Sequence, residues 1–136
     1  MSPVIGIDLG TTYSVIAHVT ETGQPEVIPN LDGEFLTPSV IDFSVNPPLV
    51  GVQAKERQAQ GEEDTEAFFK RAMHISSYQM EYFGRTYGAA EMSALVLEYL
   101  KRSAENYFNA PITDAVITVP AYFQETQRSQ TLRAAE

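Results

Sequence analysis

Apolar residues fall in short runs at both ends of the chain and on one long helical stripe between them. Val4 to Leu9 and Val15 to Val19 are nearly continuous apolar runs bounded by turn residues, which reads as two strands buried on both faces. Gly10 to Ser14 joins them as a hairpin. Gly23-Gln24-Pro25 turns the chain again, and Glu26 to Pro29 makes a third strand, so the opening is a β-meander. After the turn cluster Asn30 to Gly33, Ser39 to Val45 alternates as a strand, Asn46-Pro47-Pro48 breaks it, and Leu49 to Val52 is another short strand. Ala54 to Gln60 reads as a helix with Gly61 just past its end. The acidic run Glu62 to Asp64, with Thr65 as N-cap, predicts a helix over Glu66 to Met73. Ser76 to Gly88 has no clear period.

The strongest periodicity lies in Ala89 to Asn109. Met92, Leu95, Val96, Tyr99, Leu100 and Tyr107 share one stripe at 3.6-residue spacing, and Pro111 bars continuation. Thr113 to Val119 follows as an apolar strand closed by Pro120. Gln124 to Glu136 reads as a helix with neither C-cap nor glycine, as expected of a fragment of something longer. The whole predicts a mixed α/β fold.

Composition narrows the function classes. The chain has 136 residues and a net charge of −9, with its nine Lys and Arg scattered. Nucleic acid and anionic membrane surfaces are therefore poor partners, because counterion release needs clustered cations. A phosphate would have to bind through local geometry rather than through the overall field. There is no cysteine, which excludes disulfides and thiolate metal sites. The N-terminus lacks a signal-peptide pattern, and no apolar run approaches the ~20 residues that span a bilayer. A soluble cytoplasmic protein is the default expectation. His18 and His74 are isolated, and Tyr78, Tyr82, Phe83 and Tyr87 read as packing rather than a ligand cage.

One stretch carries chemistry. In Asp8-Leu-Gly-Thr-Thr12 a carboxylate ends a buried strand and a glycine and two hydroxyls follow. A glycine there permits close backbone approach and unusual dihedrals, and successive N–H groups in such a turn form an anion-binding concavity. Thr11 and Thr12 can add donors. Asp8 would repel a phosphate but could hold Mg²⁺ through water. Taken alone, the same residues are also ordinary hairpin residues.

The segments "IGIDLGTTYS", "LTPSVIDF", "VGVQAKERQ", "FFKR" and "ITDAVITVPAYF", with "TQR" after them, occur in that order. Together they resemble the N-terminal part of the 70-kDa heat-shock protein family, the ATP-driven chaperones. "DLGTT" is shared with the wider actin-like ATPase and sugar-kinase superfamily, whereas "FFKR" and "VITVPAYF" are more specific to the chaperones. The resemblance implies part of the first lobe of an actin-like ATPase domain whose cleft holds ATP or ADP, Mg²⁺ and K⁺. Residues 1–37 and 113–136 would form an incomplete ribonuclease-H-like subdomain, and 38–112 a shortened peripheral one. It further implies that Gly10, Thr11, Thr12 and Tyr13 form a phosphate loop and that Asp8 is the Mg²⁺-water ligand. Lys70 would be the catalytic lysine reaching the phosphates, and Pro120 and Arg128 would couple nucleotide state to other domains. Alone, Lys70 reads as a solvated lysine, Pro120 as a strand terminator and Arg128 as a helix-surface residue. Unfolded peptides, a J-domain cochaperone and a nucleotide exchange factor are the implied partners of the parent chain.

Two departures stand out. Met73 to Glu91 is shorter than the family's corresponding region. Glu34-Phe-Leu36 stands where the family commonly carries a basic residue. A sugar-kinase-like phosphotransferase and an actin-like filament module remain alternatives. The chain alone is expected to fold, to hydrolyse no ATP, and to self-associate through an apolar sheet edge.

Overall fold

The computed structural model describes residues 3–67 and 79–118, together with Ala135. The first sheet is built from β1 (Val4–Asp8), β2 (Tyr13–Val19), β3 (Pro25–Ile28) and, far along the chain, β10 (Asp114–Thr118). Its order is β10-β1-β2-β3, and β4 (Thr37–Pro38) pairs with the start of β2. The meander is antiparallel, while β10 lies parallel to β1. A parallel neighbour needs a long crossover, and here the intervening chain includes the long helix α2 (Ala89–Phe108).

Register sets which face is buried. Ile7 pairs with Ile16 and Ile117, and Ile16 with Ile28, so Ile5, Ile7, Ile16 and Ile28 share one face. That face packs in one cluster with Met92, Val96 and Leu100 of α2. A fully buried isoleucine contributes roughly 2 kcal/mol, so this face outweighs the meander's few side-chain hydrogen bonds. The other face differs from the expectation of strands buried on both sides. Val4, Val19 and Val116 are 57, 67 and 63% exposed, because no described element covers them.

The second sheet has the order β6-β5-β7, from β6 (Leu49–Val50), β5 (Val40–Asp42) and β7 (Thr65–Ala67). The expected alternation in 39–45 is absent. Val40, Ile41 and Asp42 are all buried, since β5 is the central strand and α1 (Val52–Ala59) and α2 both pack against it. The helix expected from Glu66 does not start there. Thr65 to Ala67 instead pairs antiparallel with β5, Val40 opposite Ala67. The Thr65 hydroxyl donates back to the Glu62 carbonyl at 3.1 Å rather than capping a helix. An open strand edge outweighs the local helix-start signal. Residues 68–73 of that expected helix lie outside the described residues.

The stretch without a period is a hairpin, β8 (Gln79–Tyr82) and β9 (Arg85–Gly88). Its two central residues, Phe83 and Gly84, have φ of 49° and 76°, the sign pattern of a type I′ turn. Tyr82 stacks on Phe43 with centroids 4.3 Å apart, and Tyr87 lies 4.7 Å from the same ring. These aromatics are packing, as expected. Tyr78 is outside the described residues, and Phe83 is exposed.

Helix α2 starts where the Gly88 N–H donates to Glu91 Oε1 at 2.8 Å and stops at Asn109, which is left-handed at φ 51°. Glu105 then accepts the Ile112 N–H at 2.9 Å. Met92, Val96, Tyr99 and Leu100 are buried as the stripe predicts, but Tyr107 is 43% exposed. It points its hydroxyl to Glu26, 2.9 Å away. The expected helix at 124–136 lies outside the described residues except for Ala135, which is helical.

Tyr99 ties α2 to the loop after β3. Its hydroxyl donates to Asp32, and the Leu31 N–H donates to Ser103 Oγ at 3.1 Å. Burial raises the Tyr99 pKa above the usual tyrosine value, and the Asp32 bond adds to the shift. A raised folded-state value means stability that is fully present below the unfolded pKa of about 10 and lost as pH rises beyond it. Tyr99→Phe should cost about 1 kcal/mol at neutral pH, and the gap to wild type should shrink only as pH rises past about 10. Thermal melts from neutral to alkaline pH check this, and a pH-independent gap would contradict it.

Candidate functional site

The site is the turn from Leu9 to Thr12 between β1 and β2. The ladder between these strands ends at Asp8 opposite Val15, so the turn residues are left out of it. Gly10 is required there, but for a different reason than unusual dihedrals. Its φ is not among the left-handed ones. A Cβ on Gly10 would instead sit 2.0 Å from the Tyr13 carbonyl oxygen. The turn folds so tightly back onto its own far side that only a hydrogen fits.

Among the described residues, neither the N–H groups nor the hydroxyls of Thr11 and Thr12 have a hydrogen-bond partner. Thr12 is exposed and Thr11 partly so. Two adjacent free N–H groups with two hydroxyls beside them form a concentrated set of donors, which is what an anion needs.

Two carbonyls of the same turn are occupied. Ser39, just after β4, donates its hydroxyl to the Gly10 carbonyl at 2.9 Å and its N–H to the Thr12 carbonyl at 2.9 Å. The buried Ser14 hydroxyl lies 3.0 Å from Ser39 Oγ. Pairing of Tyr13 with Pro38 and Ser14 with Thr37 brings Ser39 there.

Asp8 stands exposed at the tip of β1. The parallel register places Thr118 of β10 beside it, and the Thr118 hydroxyl lies 3.1 Å from Asp8 Oδ1 and 3.4 Å from the Ile7 carbonyl. One carboxylate oxygen is thus oriented by Thr118. No group of three or more His, Cys, Asp or Glu side chains that could hold a metal occurs among the described residues. A lone, oriented carboxylate fits a cation that brings its own water shell and a phosphate, rather than one caged by protein.

Tyr13 closes the far end of the turn. Lys55 of α1 donates to its hydroxyl at 2.7 Å, and the ammonium lies 4.7 Å from the ring centroid. The contact links α1 to the turn.

Asp8, Gly10, Thr11, Thr12 and Tyr13 therefore converge. Lys70, Pro120 and Arg128 lie outside the described residues, as does His74. His18 pairs with Glu26 at 3.1 Å and meets no metal-ligand partner set. Sequence reasoning missed Ser39, Lys55 and Thr118. Ser39 and Lys55 lie inside the motifs "LTPSVIDF" and "VGVQAKERQ", which was their only signal.

The comparison with protein families now bears on this geometry. A family model described as Hsp70 protein matches residues 4–78 and 74–136. The two matched pieces overlap at 74–78, at the start of the stretch that reads as shortened. Between them they span nearly all of the sequence, the mixed α/β sheet and the turn at its tip included. The chain belongs to the Hsp70 family.

Proposed function

We propose that the turn at 9–12 binds the phosphates of Mg-ATP, and that these residues form one wall of an ATPase site driving peptide binding and release in protein folding. The observation that carries this is the pair of unpartnered N–H groups at Thr11 and Thr12, held in a turn too tight for any side chain at Gly10. The residues present fit a Mg²⁺-nucleotide. Thr11 and Thr12 supply donors, and Asp8, exposed at the tip of β1, supplies a carboxylate next to them in the chain. Asp8 would hold Mg²⁺ through water, and the ion would supply neutralisation of phosphate charge. Family membership supports this over the sugar-kinase and filament readings, and it supports unfolded peptides, a J-domain cochaperone and an exchange factor as partners.

The subdomain division is supported by topology. The strand β10 rejoins β1, so 113–118 belongs with the meander, whereas β5, β6 and β7 form a separate sheet. Pro120 lies two residues after β10 and Arg128 ten, on the chain leaving the strand that meets Asp8, where a change at the site could be passed on.

Lys70 is the proposed catalytic residue. A lysine is a compact point charge, needed most where charge develops in transfer of the γ-phosphoryl group. In a chain that sets this wall against an opposing one, Lys70→Ala should lower turnover by at least about 100-fold and change nucleotide affinity little. An unchanged rate would sink the assignment.

A single wall leaves phosphates in water, where each charge-assisted contact is screened toward ~1 kcal/mol. The 136-residue chain should therefore bind Mg-ATP only weakly and turn none over. Calorimetry and a phosphate-release assay on the purified chain test this. Micromolar affinity with turnover would contradict it.

A further inference from the structure

We infer that Ser39 is a positioning residue for the phosphate turn, aiming the Thr11 N–H donor by holding the Gly10 carbonyl from behind and bracing the turn at the Thr12 carbonyl. The inference rests on the phosphate-binding reading of the turn and adds to it what orients the donors.

Ser39 makes two bonds to the turn from one residue. Its hydroxyl donates to the Gly10 carbonyl and its N–H to the Thr12 carbonyl, each at 2.9 Å. The peptide after Gly10 is trans, since the cis bond among the described residues is Asn46-Pro47. In a trans peptide the C=O and the following N–H point in opposite directions. Drawing the Gly10 carbonyl toward Ser39 therefore turns the Thr11 N–H away from Ser39, toward the open side of the turn. The residue that fixes donor direction thus sits opposite the anion and never touches it.

The proton order follows. Ser39 spends its only hydroxyl proton on Gly10, so at the 3.0 Å contact Ser14 must donate and Ser39 accept. Both side chains are buried, Ser14 at 0% and Ser39 at 2% exposure. No water competes for these bonds, and a lost partner is costly. The chain of donors runs one way, from Ser14 through Ser39 to the turn. Ser39 also lies in the connection between β4 and β5, where the chain passes from the first sheet to the second.

Ser14 supplies the matched control. Ser14→Ala removes a buried hydroxyl from the same relay but leaves both Ser39 bonds to the turn. Amide and carbonyl NMR of the 136-residue chain, titrated with Mg-ATP into the millimolar range, distinguishes the roles. Ser39→Ala should shift the Gly10 carbonyl resonance before any nucleotide is added, and should weaken Mg-ATP binding at Thr11 and Thr12 by about five- to tenfold, the loss of roughly one buried hydrogen bond. Ser14→Ala should lose comparable stability yet bind within about twofold of wild type. Ser39→Cys, nearly isosteric with a weaker donor, should fold and fall between. The inference is overturned if Ser39→Ala or Ser39→Cys folds and binds like wild type with an unshifted Gly10 carbonyl, or if Ser14→Ala weakens binding as much as Ser39→Ala. Wild-type protein that shows no response at Thr11 and Thr12 would overturn the phosphate reading itself, and this inference with it.

Discussion

Gly10→Ala should be the most damaging single methyl group in the described part of this chain. The added Cβ would lie 2.0 Å from the Tyr13 carbonyl oxygen and 3.2 Å from its carbon. The obstacle is backbone, so no rotamer change relieves it. The turn must open, which breaks the register that brings Ser39 to the Gly10 and Thr12 carbonyls. Overpacking usually costs about 1–3 kcal/mol where side chains can adjust. Here we expect about 3 kcal/mol or more, and a fall in Tm of roughly 10 °C. Gly6→Ala is the internal control, because its Cβ would meet the Ala17 carbonyl oxygen at an ordinary 3.8 Å. That variant should melt close to wild type. Paired thermal melts decide the matter, and equal stability of the two variants would refute the steric account of the turn.

The second large effect is expected at the buried ion pair that docks α1. Asp42 is wholly buried, and Arg57 Nε lies 2.9 Å from its Oδ2. That oxygen has no aligned hydrogen bond, so charge pairing is what neutralises it. The other oxygen accepts from the Ser44 N–H and hydroxyl at 2.9 and 2.6 Å. Apart from its packing on β5 and the Lys55 bond to Tyr13, helix α1 has few anchors. Its N-cap, Gly51, offers no side chain, and Ala54 is its single buried residue. Removing one member of a buried pair typically costs 3–5 kcal/mol, because the remaining charge is stranded. Arg57 is 43% exposed, so water can reach the stranded carboxylate in part. We expect Arg57→Ala to cost about 2–3 kcal/mol. Adding Asp42→Asn to it should recover part of the loss. Denaturant unfolding of the single and double variants measures this. A neutral Arg57→Ala would show that packing, not charge, docks the helix.

Much of this architecture was legible in the chain. The meander was, because Ile5, Ile7 and Ile16 are bounded by residues that turn the chain. Helix α2 was, because Met92, Val96 and Leu100 repeat every four residues along one face. The strand β7 was not. Glu62 to Thr65 looks locally like a helix start, and only the open edge of β5, more than twenty residues earlier, makes it a strand. The hairpin at 79–88 was hidden because its turn places Phe83, rather than asparagine, at positive φ. The same split holds for the site. Asp8, Gly10, Thr11 and Thr12 are contiguous, so a sequence motif could name them. Thr118 and Ser39 reach the turn only through strand pairing, 110 and 29 positions from Asp8 and Gly10. Each sits in a motif that carries the family resemblance, but nothing local in the sequence places it at the turn.

The most direct test of the central claim places a paramagnetic ion where Mg²⁺ should bind. Mn²⁺ takes the same oxygen ligands and broadens NMR signals of nearby nuclei. With ATP present, we predict broadening centred on Asp8 to Thr12 and on Thr118, sharply reduced in Asp8→Asn. Mn²⁺ without ATP should not produce that pattern, since one carboxylate is a poor site by itself. Broadening centred elsewhere with ATP, such as on the acidic run Glu62 to Asp64, or a pattern unchanged in Asp8→Asn, would contradict the account.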